Sequence, residues 1–316
     1  MARTKPPRVV AGPAGRKPAN RFDAFISHSS KNRDRAAAVE AAIGPERAWF
    51  DRSDIRYGAL LGRELLSQIR KSRSLVLVWS APASKSPWVQ SEWIAAANLG
   101  MPIIPLVLDK TPLPQCLSNT LWQKGAGSRK ETLAELARTI RGPLPRGGSV
   151  SPSMLLPNPA LEREVDRLGR EQLSVLDDSA AGDMTGARRR QRRLEREIEP
   201  LIRKHPTDPR VATLWAYNAK NGVILEHEED ITAGVRVDDE RLDEARWRFI
   251  QALWLNPLDG EALNGLGTIA WFGHDLDAAE FFVRAALRRL PRYPAARHDL
   301  GLILDLKRRS RLRSPA

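Results

Sequence analysis

The sequence predicts an α/β domain built on a doubly wound parallel sheet, followed by an all-α array. Three observations carry this. Short apolar runs alternate with helical patterns over residues 21–141, a Pro/Gly-rich stretch follows at 142–159, and beyond it every segment reads helical and partly repeats itself.

Residues 1–20 hold five basic residues, no acidic ones and no hydrophobic period, so a disordered basic tail is expected. FDAFIS (Phe22–Ser27) reads as the first strand, and the Ala-rich Arg33–Ile43 has helical spacing. AWF (Ala48–Phe50) reads as a second strand; Leu61–Lys71 places Leu61, Leu65, Leu66 and Ile69 on one helical face. LVLVW (Leu75–Trp79) is apolar throughout, as expected of a strand covered by helices on both faces. A helix at Trp88–Leu99, a strand at Pro102–Leu108 and a helix at Lys130–Ile140 complete the pattern. These strands lie too far apart for hairpins, and ligands of parallel sheets sit at the carboxyl ends of strands. The loops after Ser27, Phe50, Ser80 and Leu108 are therefore where chemistry is to be sought.

Composition narrows the function. Of the +13 net charge, all the excess lies in residues 1–150, which hold 24 Lys and Arg against 11 Asp and Glu, whereas residues 151–316 hold 27 of each sign. That points to an anionic partner. The longest apolar runs fall short of the ~18 to 20 residues of a membrane helix, so no membrane association is expected. The basic, Pro/Gly-rich N-terminus has no apolar core of a secretory signal. A single cysteine, Cys116, forbids an intrachain disulfide and fits a cytoplasmic location.

The stretch 142–159, with five prolines and three glycines in 18 residues, reads as a linker before a helical domain at 160–310. There Ala252–Pro257 returns as Ala286–Pro291, Leu266-Gly267 as Leu300-Gly301, and Ala245 as Ala279, all shifted by 34 residues. The period and residue types resemble the tetratricopeptide repeat (TPR), implying an α-helical TPR solenoid of two good repeats, an interrupted one and a terminal helix. The interruption is assigned to the acidic stretch Gly222–Asp238. Trp215, Trp247, Trp254 and Trp271 are expected to pack between helices.

FDAFISHS (Phe22–Ser29), FDRSDIRYG (Phe50–Gly58), LVLVWS (Leu75–Ser80) and SPWVQSEW (Ser86–Trp93) occur in order on the expected strands and loops. Together they resemble a Toll/interleukin-1 receptor (TIR) domain of the prokaryotic NAD+-hydrolase type over residues 21–141, which implies a flavodoxin-like doubly wound sheet. The resemblance implies that Glu92 is the catalytic glutamate of a Trp-x-x-x-Glu pair with Trp88. Four-residue spacing puts the two on one helical face; the other reading is an amphipathic helix burying Trp88 with Glu92 in water. One carboxylate suffices for nicotinamide release, because a pyridinium departs as a neutral base and needs no general acid, unlike a sugar alkoxide. Glu92 would stabilise positive charge on the ribose and Trp88 would offer a stacking face.

Asp51 lines the same cleft by resemblance, or serves as a turn former. Ser27, His28 and Ser29 end the first strand as candidate contacts to phosphate oxygens, or as a polar loop. Arg52, Ile55, Tyr57 and Gly58 belong to the loop that in this family contacts neighbouring TIR domains, with Gly58 suited to a positive φ. The implied activity is an NAD+ glycohydrolase acting in immune or antiphage-type signalling, giving ADP-ribose or a cyclic variant. It uses NAD+ as substrate with no cofactor or metal, is activated by TIR self-association and is regulated through a protein or ligand on the repeats. The alternative is a non-enzymatic TIR adaptor; nucleic-acid binding is disfavoured for want of a recognisable motif. The run Arg188–Arg193 is read as a salt-bridged helix face, His227–Asp230 as a polar loop rather than a metal site, Cys116 as inert, and Lys307–Arg313 as a frayed helix end.

Overall fold

The computed structural model describes residues 21–50, 62–118, 123–124, 129–144 and 158–313. Among the described residues, five strands, β1 (Phe22–Ser27), β2 (Ala48–Trp49), β3 (Ser72–Trp79), β4 (Ile103–Val107) and β5 (Gln123–Lys124), form one sheet in the order β2-β1-β3-β4-β5. Every neighbouring pair is parallel, with Phe25 beside Leu75 and Leu75 beside Ile103.

Alternation along the strands sorts the side chains into two layers. Ala24, Ile26, Val76, Val78, Ile104 and Leu106 pack under α1 (Arg33–Ile43) and α5 (Arg129–Arg141). Phe25, Leu75, Leu77, Trp79 and Ile103 face the opposite layer, formed by α2 (Arg63–Arg70) and α4 (Pro87–Asn98), with the short α3 (Ala81–Ser84) leading into α4. Leu75–Trp79 of β3 and all of β4 are apolar because helices cover both sides. β3 begins three residues earlier than the apolar run, its Ser72 and Ser74 hydroxyls donating to the carbonyls of Gln68 and Asp23.

Among the described residues, seven helices follow: α6 (Pro159–Ala180), α7 (Met184–Lys204), α8 (Pro209–Ala233), α9 (Glu240–Leu255), α10 (Gly260–Phe272), α11 (Leu276–Arg289) and α12 (Pro294–Arg313). Aspartates 183, 208, 239, 259 and 275 start α7 to α11, each carboxylate accepting a first-turn backbone N–H. Each helix packs on the next, making a helical solenoid. Its close approaches depend on small residues. A Cβ at Gly265 would lie 2.1 Å from Phe249 of α9, and one at Gly267 would lie 2.6 Å from Val283 of α11. Ala245 and Ala279, one 34-residue shift apart in sequence, are both fully buried.

Three local expectations change. The stretch from Gly222 continues α8 as helix to Ala233, with a kink at His227, so His227–Asp230 is helical and not a loop. Helix continues there with apolar anchors on both sides: Val223 and Ile231 are buried in the cluster shared with α9, and Leu225 in the separate cluster with α6 and α7. The C-terminal basic run does not begin as a frayed end: Lys307 Nζ is bonded to Asp277 Oδ1 at 2.5 Å and Glu280 Oε2 at 2.8 Å, fastening α12 to α11. Trp254 packs outside the array rather than between its helices.

The two parts of the chain share one apolar core. Trp254 of α9 meets Trp79 of β3 edge-on, with ring centroids 5.8 Å apart. Asn98 Nδ2 at the end of α4 donates to the Pro257 carbonyl at 2.8 Å. On α2, Arg63 Nε lies 3.5 Å from Asp277, and the Arg70 guanidinium stands over the Phe281 ring. Helix α4 is thus enclosed, sheet on one side and α9 on the other, and every residue from Val89 to Asn98 is buried.

Candidate functional site

The strand order reverses between β1 and β3, since β2 lies outside one and β4 outside the other. Such a switch point opens a crevice beyond the carboxyl ends of the two strands. Ser27 is the last residue of β1 and, two positions after Phe25, shares its face, which is the face covered by α4. There the Ser27 hydroxyl, fully buried, donates to Glu92 Oε2 at 2.5 Å. Glu92 is 5% exposed, so its carboxylate points into the protein and not to water. The amphipathic reading of α4 fails on this point. A helix walled on both sides has no solvent face to give Glu92.

The rest of the first loop closes around the same strand end. His28 sets its ring edge-on to Phe50, centroids 5.3 Å apart. The Ser29 hydroxyl caps the single helical turn Ser30–Asn32, accepting from the Lys31 amide at 3.4 Å. Trp88, one turn before Glu92, is half-buried and packs against the core layer of α2 and α4. Sequence reasoning passed over Ser80 and Asn32. The Ser80 hydroxyl, just past β3, donates to Asn32 Oδ1 at 2.6 Å and accepts from the Ala83 amide at 3.3 Å, tying together the loops after β1 and β3. The position of Ser80 at a strand's carboxyl end was the available signal; nothing in the sequence paired it with Asn32. Asp51, Arg52, Ile55, Tyr57 and Gly58 lie outside the described residues.

Other chemistry-bearing groups are engaged elsewhere. Burial pushes the Cys116 thiol up to about 12, far from a thiolate at neutral pH. Glu226, His227 and Asp239 bring ligand atoms within 4.8 Å of one another, yet Arg241 is paired with both carboxylates at 2.6 Å. Its hydrogen bonds hold Asp239 and Glu226 below the usual carboxylate range, as suits an ion-pair cluster. In the basic run of α7, Arg190 pairs with Asp178, Arg193 with Glu197, and Arg188 donates to the Leu225 carbonyl.

A buried Ser27–Glu92 pair thus stands at the switch point of a five-stranded parallel sheet. Neither the curated proteins nor the solved structures provide a match to the chain. The family model described as the TIR domain matches residues 24–138, from the first strand through the last helix of the α/β unit, and that segment of the chain is a TIR domain.

Proposed function

We propose that the chain is an NAD+ glycohydrolase that cleaves the nicotinamide–ribose bond, giving nicotinamide and ADP-ribose or a cyclic variant. The observation that carries this reading is the buried Glu92 carboxylate, held by Ser27 at the carboxyl end of β1 in a TIR domain. A carboxylate shielded from water acts on a developing positive charge with little dielectric screening. The oxocarbenium-like ribose formed as nicotinamide leaves is such a charge, and the leaving base needs no proton. Ser27 fixes the carboxylate before substrate arrives, so little reorganisation accompanies bond cleavage. Trp88 is the stacking surface one turn away, with Asp51, His28 and Ser29 as further substrate contacts.

Self-association of the TIR domain, through the loop carrying Arg52, Ile55, Tyr57 and Gly58, is proposed to switch the activity on. The helical array, read as TPR repeats beyond the 142–159 linker, is proposed to receive the regulating partner, in immune or antiphage-type signalling. The test is incubation of the purified chain, free and clustered on beads, with NAD+. Nicotinamide release is expected to fall at least about a hundredfold in Glu92→Ala, the scale of losing a preorganised electrostatic group, and by about tenfold in Ser27→Ala. Equal release by Glu92→Ala would overturn the enzyme reading, and a chain that captures a second TIR domain while leaving NAD+ intact would establish the adaptor.

A further inference from the structure

Two residues before Glu92, Gln90 is fully buried and uses all four hydrogen-bonding valences of its amide. Its Nε2 donates to the Ser84 carbonyl at 3.0 Å and the Ala83 carbonyl at 3.4 Å, both on α3. Its Oε1 accepts two indole N–H groups, from Trp93 at 2.7 Å within α4 and from Trp254 at 2.9 Å across the interface with the helical array. At about 100° of turn per residue, Gln90 and Glu92 project from nearly opposite sides of the helix. One side of α4 meets the array at Gln90 while the other delivers Glu92 to Ser27.

Helix α4 has twelve residues, too few to hold itself in place by helix propensity. Its Ser86 cap is a long one, with the hydroxyl 3.4 Å from the Val89 amide. Its placement is therefore a matter of packing, and the packing on its outer side comes from α9. The Trp254 ring also abuts Trp79, the last residue of β3, so a single side chain touches the strand end and the helix that together frame the switch point. The Asn98 bond to Pro257 fixes the far end of α4 to the same array.

We infer that Trp254, on the helical array, is a positioning residue for Glu92: its indole holds Gln90 and α4 so that the carboxylate stays at the end of β1. The inference rests on the reading that Glu92 carries the chemistry. It makes the array a working part of the site, since any partner that shifts α9 would move Glu92.

The test compares the full chain with Trp254→Ala, Trp254→Phe, which keeps a ring but removes the N–H donor, and Trp215→Phe as control. The Trp215 indole donates to Glu244 within the array. Amide hydrogen exchange across residues 83–95 and steady-state nicotinamide release are measured on each. Trp254→Ala is expected to exchange about tenfold faster there, the scale of one net hydrogen bond and its packing, and to lose about tenfold in kcat with KM within about twofold. Trp254→Phe falls between, which keeps the inference testable if the alanine variant does not fold, and Trp215→Phe matches the parent. Parent-like exchange in both Trp254 variants, or a raised kcat, overturns the inference. If the parent itself releases no nicotinamide, the catalytic reading fails separately, and the exchange comparison alone decides whether Trp254 braces α4.

Discussion

Stability of this protein is predicted to rise between pH 7 and pH 9, and a single buried lysine is the reason. Lys220 of α8 is 6% exposed, its ammonium 5.2 Å from the centroid of the Tyr217 ring. Burial lowers its pKa from 10.5 to about 8, with Asp299 pulling weakly the other way. Below pH 8 both folded and unfolded chains carry the proton, and the folded state bears the full cost of burying the charge. Between about 8 and 10.5 the folded state sheds the proton while the unfolded state keeps it. The unfolded chain then binds more protons, and stability increases with pH.

Integrated from pH 7 to 9, this shift gives a gain somewhat above 1 kcal/mol. Cys116 opposes it, because its thiol ionises near 9.0 when unfolded and near 12 when folded, withdrawing a few tenths of a kcal/mol by pH 9. Tyr217 and Tyr293 are both raised above 10.0 and act only at higher pH, where they turn the curve downward. A net gain of about 1 kcal/mol is therefore expected by urea unfolding, followed by far-ultraviolet circular dichroism at half-unit pH steps. In Lys220→Met, which fills similar space without the charge, the rise should vanish and a slight fall should remain. A parent curve that is flat or falling over this range, or an undiminished rise in Lys220→Met, refutes the reasoning.

Two predictions concern packing and reactivity. Gly265→Ala should destabilise the array by about 1 to 3 kcal/mol in the same assay, because its Cβ would meet Phe249; Gly301→Ala, with nothing within 4 Å, should be neutral or gain up to about 1 kcal/mol of helix propensity. Cys116 is expected to resist a soluble disulfide reagent at pH 8 until urea unfolds the chain, and stoichiometric labelling of the native protein would show the buried thiol to be misjudged.

The strands and helices of the α/β unit were legible because their periods are local. LVLVW had to be covered on both faces, and Leu65, Leu66 and Ile69 had to share one. Glu92 was legible by resemblance, through its spacing from Trp88, but its surroundings were not. Spacing of four places two side chains on a helix face without saying what that face meets. Trp254 was misread for the same reason: a tryptophan inside a helical repeat looks like repeat core, and only the approach of another part of the chain shows it facing outward. The acidic stretch after Gly222 reads as a polar loop at His227–Asp230, yet α8 runs through it because Val223 and Ile231 pack into one buried cluster and Leu225 into another.

By itself, then, the sequence determined the alternation of strand and helix, the change to helices after the proline-rich stretch and the 34-residue recurrence. All of these are written in neighbours along the chain or in a fixed period. Only the tertiary structure decided that Ser27 and Glu92 meet, 65 positions apart, and that Gln90 and Trp254 meet, 164 apart. Such contacts depend on how helices are placed against a sheet, and that placement is set by the summed burial of many side chains. No pattern local to either residue records it.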